Sequence, residues 1–177
     1  MGVSGETIRY WLLNAIVNSE LVPRHWRVRL MRRCGIELPD DAIVYAGLRL
    51  RPGPITFGAR PGINRNCLLD PGEAGITIGD DVGIAANVVI TAATHHLGGS
   101  GKRADGPRSE PVVIEDGCWL GVGAVVLPGV TVRRGCVVGA GGVVASSTEP
   151  DGMYVGVPAR RVRDLDGTPA AERGLLR

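Results

Sequence analysis

Aromatic residues are scarce: three Trp, three Tyr and one Phe in 177 residues. An interior with so few large rings has to be filled by aliphatic side chains. Lysine is almost missing, Lys102 being the single one, so arginine carries nearly all the basic charge. A net charge of +2 gives no ground for a nucleic-acid partner. Cys34, Cys67, Cys118 and Cys136 stand far apart, which excludes a CxxC metal or redox motif. Histidine is limited to His25, His95 and His96; the adjacent two make a poor metal pair and His25 stands far from them, so a three-histidine zinc site lacks its ligands and no metal is expected. No apolar run reaches bilayer length; Trp11 to Val17 is too short. No signal peptide is recognisable, and the chain reads as cytoplasmic.

What the chain has is a period of six. Ile78, Ile84 and Ile90 share one phase, which returns at Ile114, Leu120, Val126, Val132, Val138 and Val144. Chance agreement on this scale is on the order of 10⁻⁵ to 10⁻⁴. Neither a helix nor a strand alternation yields it. A hexapeptide period is the mark of a parallel β-helix, whose short strands form the flat faces of a prism. Four residues after each aliphatic comes a small or β-branched residue: Val82, Val88, Thr94, Cys118, Ala124, Val130, Cys136, Gly142 and Thr148. These suit the tight interior beside a corner. Phe57, Ile63 and Leu69 open an earlier coil, residues 43 to 56 a partial one, and the excess at Pro71 to Gly75 reads as a corner bulge. Cys118 and Cys136 should stack one coil apart as free thiols, although a disulfide between them is geometrically conceivable.

The expected organisation is a helical arm over 1–40, a β-helix over 41–165 with a loop extruded at 96–111, and a loose tail over 166–177. In the arm, Ser4 can cap a helix whose apolar face includes Ile8, Leu12, Ala15 and Ile16, and Pro23 interrupts it. The stretch Arg24 to Arg33 carries five arginines beside Trp26, Leu30 and Met31. It is either a solvated basic face on a helix packed against the prism, or an arm resting on anionic membrane or near a lipid-linked substrate. The loop is glycine-rich and polar, and a long loop in a strict repeat is usually functional. His95 lies at its root, after Thr94 in an interior slot. Imidazole titrates near neutrality and is the natural general base for a hydroxyl or an amine. His95 and His96 should point to opposite sides of the backbone.

Several segments together resemble the hexapeptide acyltransferases of the maltose and galactoside O-acetyltransferase type. They are Ile90-Thr91-Ala92-Ala93-Thr94-His95, Ile114-Glu115-Asp116-Gly117-Cys118-Trp119-Leu120-Gly121, Leu127-Pro128-Gly129-Val130, Gly139-Ala140-Gly141 and Gly156-Val157-Pro158-Ala159-Arg160. The stretch Ile63 to Asp70 is most similar to the branch acting on sugars in polysaccharide biosynthesis. The resemblance implies an all-β fold, a left-handed parallel β-helix with a short N-terminal helical arm. It implies a homotrimer with acetyl-CoA, the co-substrate, in the groove between neighbouring prisms. His95 matches the catalytic histidine, which deprotonates an acceptor hydroxyl as it attacks the thioester directly. Asn64 matches an acceptor contact, and Asp70 an acceptor contact or an orienter of the histidine; Asn64 and Asn66 can equally be plain corner residues. Val122 and Ala140 match backbone contacts of the pantetheine arm. Trp119 matches an aromatic beside it, or packs a trimer edge. Arg160 and Arg163 match phosphate contacts. Relatives often carry Thr-Lys after the last coil where this chain has Ala145-Ser146, so that contact is missing or moved to Arg161. The implied activity is O-acetylation of a sugar or glycosylated metabolite. An aminosugar N-acetyltransferase, or a non-catalytic scaffold subunit, are the alternatives.

Overall fold

A computed structural model describes residues 5–165. The Ser4 cap and the tail over 166–177 lie outside the described residues. Five coils follow one another, the first four each built from three short strands. The first coil has β1 (Ile43–Val44), β2 (Arg49–Leu50) and β3 (Ile55–Phe57), and the second β4 (Gly62–Ile63), β5 (Leu68–Asp70) and β6 (Ile76–Ile78). The third has β7 (Gly83–Ile84) and β8 (Val89–Thr91), departs through β9 (Ala93–Leu97) and β10 (Ala104–Ser109), and closes with β11 (Val112–Ile114). The fourth has β12 (Trp119–Leu120), β13 (Val125–Val126) and β14 (Thr131–Val132). The last has β15 (Val137–Val138) and β16 (Val143–Val144), and ends in a hairpin of β17 (Gly152–Val155) and β18 (Arg160–Asp164).

The strands stack into three parallel faces. Face A is β1-β4-β7-β12-β15-β17, face B is β2-β5-β8-β13-β16 and face C is β3-β6-β11-β14. The register stacks the aliphatic of each coil on that of the next. Val44, Ile63, Ile84, Leu120, Val138 and Tyr154 form the column behind face A. Leu50, Leu69, Ile90, Val126 and Val144 stand behind face B, and Phe57, Ile78, Ile114 and Val132 behind face C. Nearly all are buried, at about 1.5–3 kcal/mol for each such side chain. Cys67, Cys118 and Cys136 are buried in small corner slots as free thiols. Burial pushes the Cys118 thiol up to about 12. At the A/B corner one residue per coil takes a left-handed turn: Gly47, Asn66, Asn87, Gly123 and Gly141. Asn66 is thus a corner residue.

The arm is α1 (Gly5–Leu12), a π-helical turn at Leu13–Val17, and α2 (Arg24–Arg33). Its inner face is not the one expected. Tyr10, Leu13 and Val17 are buried, whereas Ile8, Leu12, Ala15 and Ile16 are exposed. Polar anchors choose between the two stripes. The Asn14 amide donates to Leu50 O and accepts from Leu50 N, both at 2.9 Å, and Gly47 N donates to Asn18 O. Arg27 is buried, not solvated, and donates to the carbonyls of Val17, Ser19, Val22 and Val44. Burial lowers its pKa, against the pull of Glu20, yet a guanidinium stays charged. The arm thereby satisfies the open edges of β1 and β2, the weak end of any solenoid.

The extruded segment is also more regular than a glycine-rich loop. It is an antiparallel hairpin that begins at Ala93, with Ala93 opposite Ser109 and His95 opposite Pro107. Thr94 belongs to this hairpin and is half-buried; Ala92, fully buried, is the last interior residue of the coil.

Candidate active site

The hairpin leaves the prism at the edge between faces B and C, and this fixes His95. The side chain is exposed at the rim of a cleft of about 410 Å³. Asp70, the last residue of β5, shares that cleft. Pro52, Glu73, Arg108 and Ser109 line it as well. Glu73 sits in the five-residue turn closed by Gly75 N to Pro71 O at 2.8 Å, the bulge in the hexad count. Arg108 and Ser109 return along β10 opposite Thr94 and Ala93, and Arg108 is ion-paired with Glu110. Sequence reasoning missed these three. The pairing of the two hairpin limbs would have brought Arg108 and Ser109 to the histidine, and the bulge would have marked Glu73. His96 lies on the neighbouring position of β9, opposite Asp105.

The other candidates gather elsewhere. Val122 and Ala140 are exposed on the A/B corner of successive coils, joined by Gly141 N to Val122 O at 2.8 Å. The peptide N–H groups of Val122 and Ala140 donate to nothing among the described residues. A β-carbon on Gly121 would stand 2.7 Å from Ala140 N, so the backbones pack too closely there for any side chain. Trp119 lies on face A beside this corner, 57% exposed. Its ring stands at the end of a shallow apolar groove with Ile43, Tyr45, Gly62, Asn64 and Gly83. Asn64 is therefore with Trp119 and not with His95. Its Oδ1 accepts from Arg65 N at 2.7 Å, which closes the corner of its own coil.

Arg160 and Arg163 are exposed on β18 at the far end of face A. Arg160 donates to Ala159 O and Arg163 to Met153 Sδ, weak restraints that leave most of each guanidinium open. Arg161 is different. It bonds Pro150 O, Glu149 O and Asp164, so its guanidinium is engaged in holding the β17–β18 hairpin.

The candidate residues of one chain thus fall into two groups. His95 and Asp70 are on the B/C edge; Val122, Ala140 and Trp119 flank the A/B edge. Face B separates them, about five extended residues or roughly 16 Å. No imidazole bridges that distance.

A prism of stacked hexads with these two edges is a hexapeptide-repeat protein. A model of the hexapeptide repeat of succinyl-transferase matches residues 57–92 and 111–146. A Schizosaccharomyces pombe protein, named only by inference as an acetyltransferase, is 39% identical over 113 residues, 63% of this chain and 54% of that one. Galactoside O-acetyltransferase of Escherichia coli is 34% identical over 91 residues, 51% of this chain and 45% of the enzyme. The chain spans about half the length of these curated relatives. A hexapeptide-repeat acetyltransferase of Vibrio cholerae, solved with acetyl-CoA, superposes with a TM-score of 0.71 at 29% identity, over 94% of this chain and 92% of that one. The chain carries the hexapeptide repeat and folds as a left-handed parallel β-helix, and it is similar to hexapeptide-repeat acetyltransferases that include galactoside O-acetyltransferase.

Proposed function

We propose that the protein transfers an acetyl group from acetyl-CoA to a hydroxyl of a sugar or glycosylated metabolite, in sites formed between the subunits of a homotrimer. The observation that carries this is the division of the candidate residues between two prism edges. A neighbour's A/B edge set against the B/C edge of the first chain brings the two half-sites together. In such a site the imidazole of His95 takes the proton of the acceptor hydroxyl as its oxygen attacks the thioester carbonyl. The tetrahedral intermediate then expels the CoA thiolate, which recovers a proton from the imidazolium. The oxyanion needs a fixed donor aimed at it, and a backbone N–H at the prism edge supplies one. Asp70 contacts the acceptor or orients the base.

On the donor side, the unpartnered N–H groups of Val122 and Ala140 face the pantetheine carbonyls, with Trp119 alongside. Arg160 and Arg163 meet the phosphates. Asn64 contributes to the acceptor only if the neighbour's arrangement returns its free amide to the site. The test is release of free CoA from acetyl-CoA across a panel of sugars, with calorimetry for CoA binding. Release with a hydroxyl sugar supports the proposal. Release only with aminosugars moves it to N-acetylation, and neither release nor CoA binding makes the protein a scaffold.

A further inference from the structure

The His95 cleft does not end at Asp70. Pro52 and Asp70 also line a larger trench, of about 940 Å³, between the outer surface of face B and α1. Trp11 on α1 forms one wall, its side chain 64% exposed. Arg49 and Arg51, from the first coil, form the other. Among the described residues neither guanidinium has a hydrogen-bond or ion-pair partner, although Arg51 stacks directly over Asp70 in the coil ladder. The cleft itself is acidic. Asp70 and Glu73 face it, and its one arginine, Arg108, is already paired with Glu110.

Resting on the acetyltransferase reading, we propose that the acceptor is an anionic carbohydrate: a neutral sugar ring at His95 joined to a phosphate or carboxylate held by Arg49 and Arg51. The charge gradient along the trench sets the orientation. Carboxylates repel an anion from the cleft while offering acceptors to sugar hydroxyls, and the free guanidiniums receive the anion at the far end. The exposed indole of Trp11 gives the apolar C–H face of a pyranose a surface to stack on. The spacing fixes the size. Arg49 and Arg51 lie two coils from the rung of His95, about 10 Å at ~4.8 Å per coil. That separation fits one pyranose carrying a diphosphate, or a disaccharide with a terminal acid.

The test compares matched acceptors on the intact protein: methyl glycosides of glucose, galactose and N-acetylglucosamine against their 1-phosphates and UDP-sugars. CoA release gives KM for each, and calorimetry gives binding. The anionic member of a productive pair should show a KM at least about 10-fold lower, the scale of one charge-assisted contact at a partly exposed site. Arg49→Gln and Arg51→Gln should together erase that difference, with KM for acetyl-CoA unchanged, while Arg→Lys at either position retains part of it. Trp11→Ala should weaken charged and neutral sugars alike. Equal KM values within pairs in the parent protein would overturn the proposal, as would a preference that survives the double substitution. Altered subunit assembly in the double variant, without altered binding, would assign the two arginines to an interface and also overturn it. If no sugar releases CoA and CoA does not bind, the acetyltransferase reading falls, and calorimetry alone decides: binding of the UDP-sugars that is lost in the double variant keeps the anionic trench, and no binding removes it.

Discussion

The separation of His95 from Ala140 by a whole prism face permits a test by subunit mixing. His95→Ala removes the proposed base and leaves the donor edge whole. Ala140→Trp, on an exposed corner position, would fill the proposed donor groove and leave His95 in place. Each protein alone should be inactive. If every site takes its base from one subunit and its donor groove from the next, co-refolded trimers regain activity at sites where an Ala140→Trp chain precedes a His95→Ala chain. In a random one-to-one mixture either role is filled correctly half the time, so about a quarter of the parent activity should return, as expected for a cyclic assembly with heterologous contacts. Sites contained within one chain would give essentially none. The assay is CoA release before and after denaturation and refolding of the mixture, with unmixed refolded variants as controls. A mixture as dead as its components refutes the shared site. Light scattering that shows only monomers at micromolar concentration refutes it independently.

Four further outcomes are expected. His95→Ala should lower turnover by about 10²–10⁴-fold with CoA affinity unchanged, and His96→Ala should do far less; equal effects in steady-state assays would mean the base is misassigned. Arg160→Ala and Arg163→Ala should raise KM for acetyl-CoA and spare kcat, since the contact is made equally in ground and transition states; a fall in kcat at constant KM contradicts it. Arg27→Met leaves four carbonyls without their donor and should cost roughly 3 kcal/mol, seen in urea melts and as faster hydrogen exchange in residues 5–34; an unchanged melt refutes the capping role. Burial raises the Cys118 thiol from 9.0 to about 12, so its contribution to stability is whole below pH 9 and lost as pH climbs toward 12. Melting temperature should therefore drop across that alkaline window, and Cys118→Ala should flatten the drop.

The prism was legible because its signal is redundant. Ile84, Leu120 and Val138 each state the same phase, and their stacking on face A follows from counting eighteen residues per coil. The arm lacked that redundancy. Trp11-Leu12-Leu13 is apolar all round, so two stripes competed, and the deciding contact was long-range: Asn14 on the backbone of Leu50, which no helical pattern contains. Arg27 looked like one more surface arginine because sequence does not show which carbonyls a solenoid's first coil leaves bare. Thr94 kept the hexad count but had already left the prism, since the hairpin pairing begins at Ala93. At the candidate site, motif positions pointed to His95 and to Val122 and Ala140 one by one. Their partition between two edges emerged only once each was assigned to a face, and Glu73 and Arg108 emerged only once the bulge and hairpin limbs were placed.

The corner spacing also makes this chain a counting device. Six residues inserted in phase after Ile114 would supply one extra face, keep every interior slot aliphatic and leave the turns at Gly117, Gly123 and Gly141 intact. Everything downstream would nonetheless rotate by about 120° around the axis, while eighteen would restore the face and merely lift it by ~4.8 Å. Trp119, Val122, Ala140 and the β18 arginines would move together onto another side of a prism whose interior pattern is unchanged. For this architecture, stability depends on the sequence modulo six and the address of each functional group on the sequence modulo eighteen.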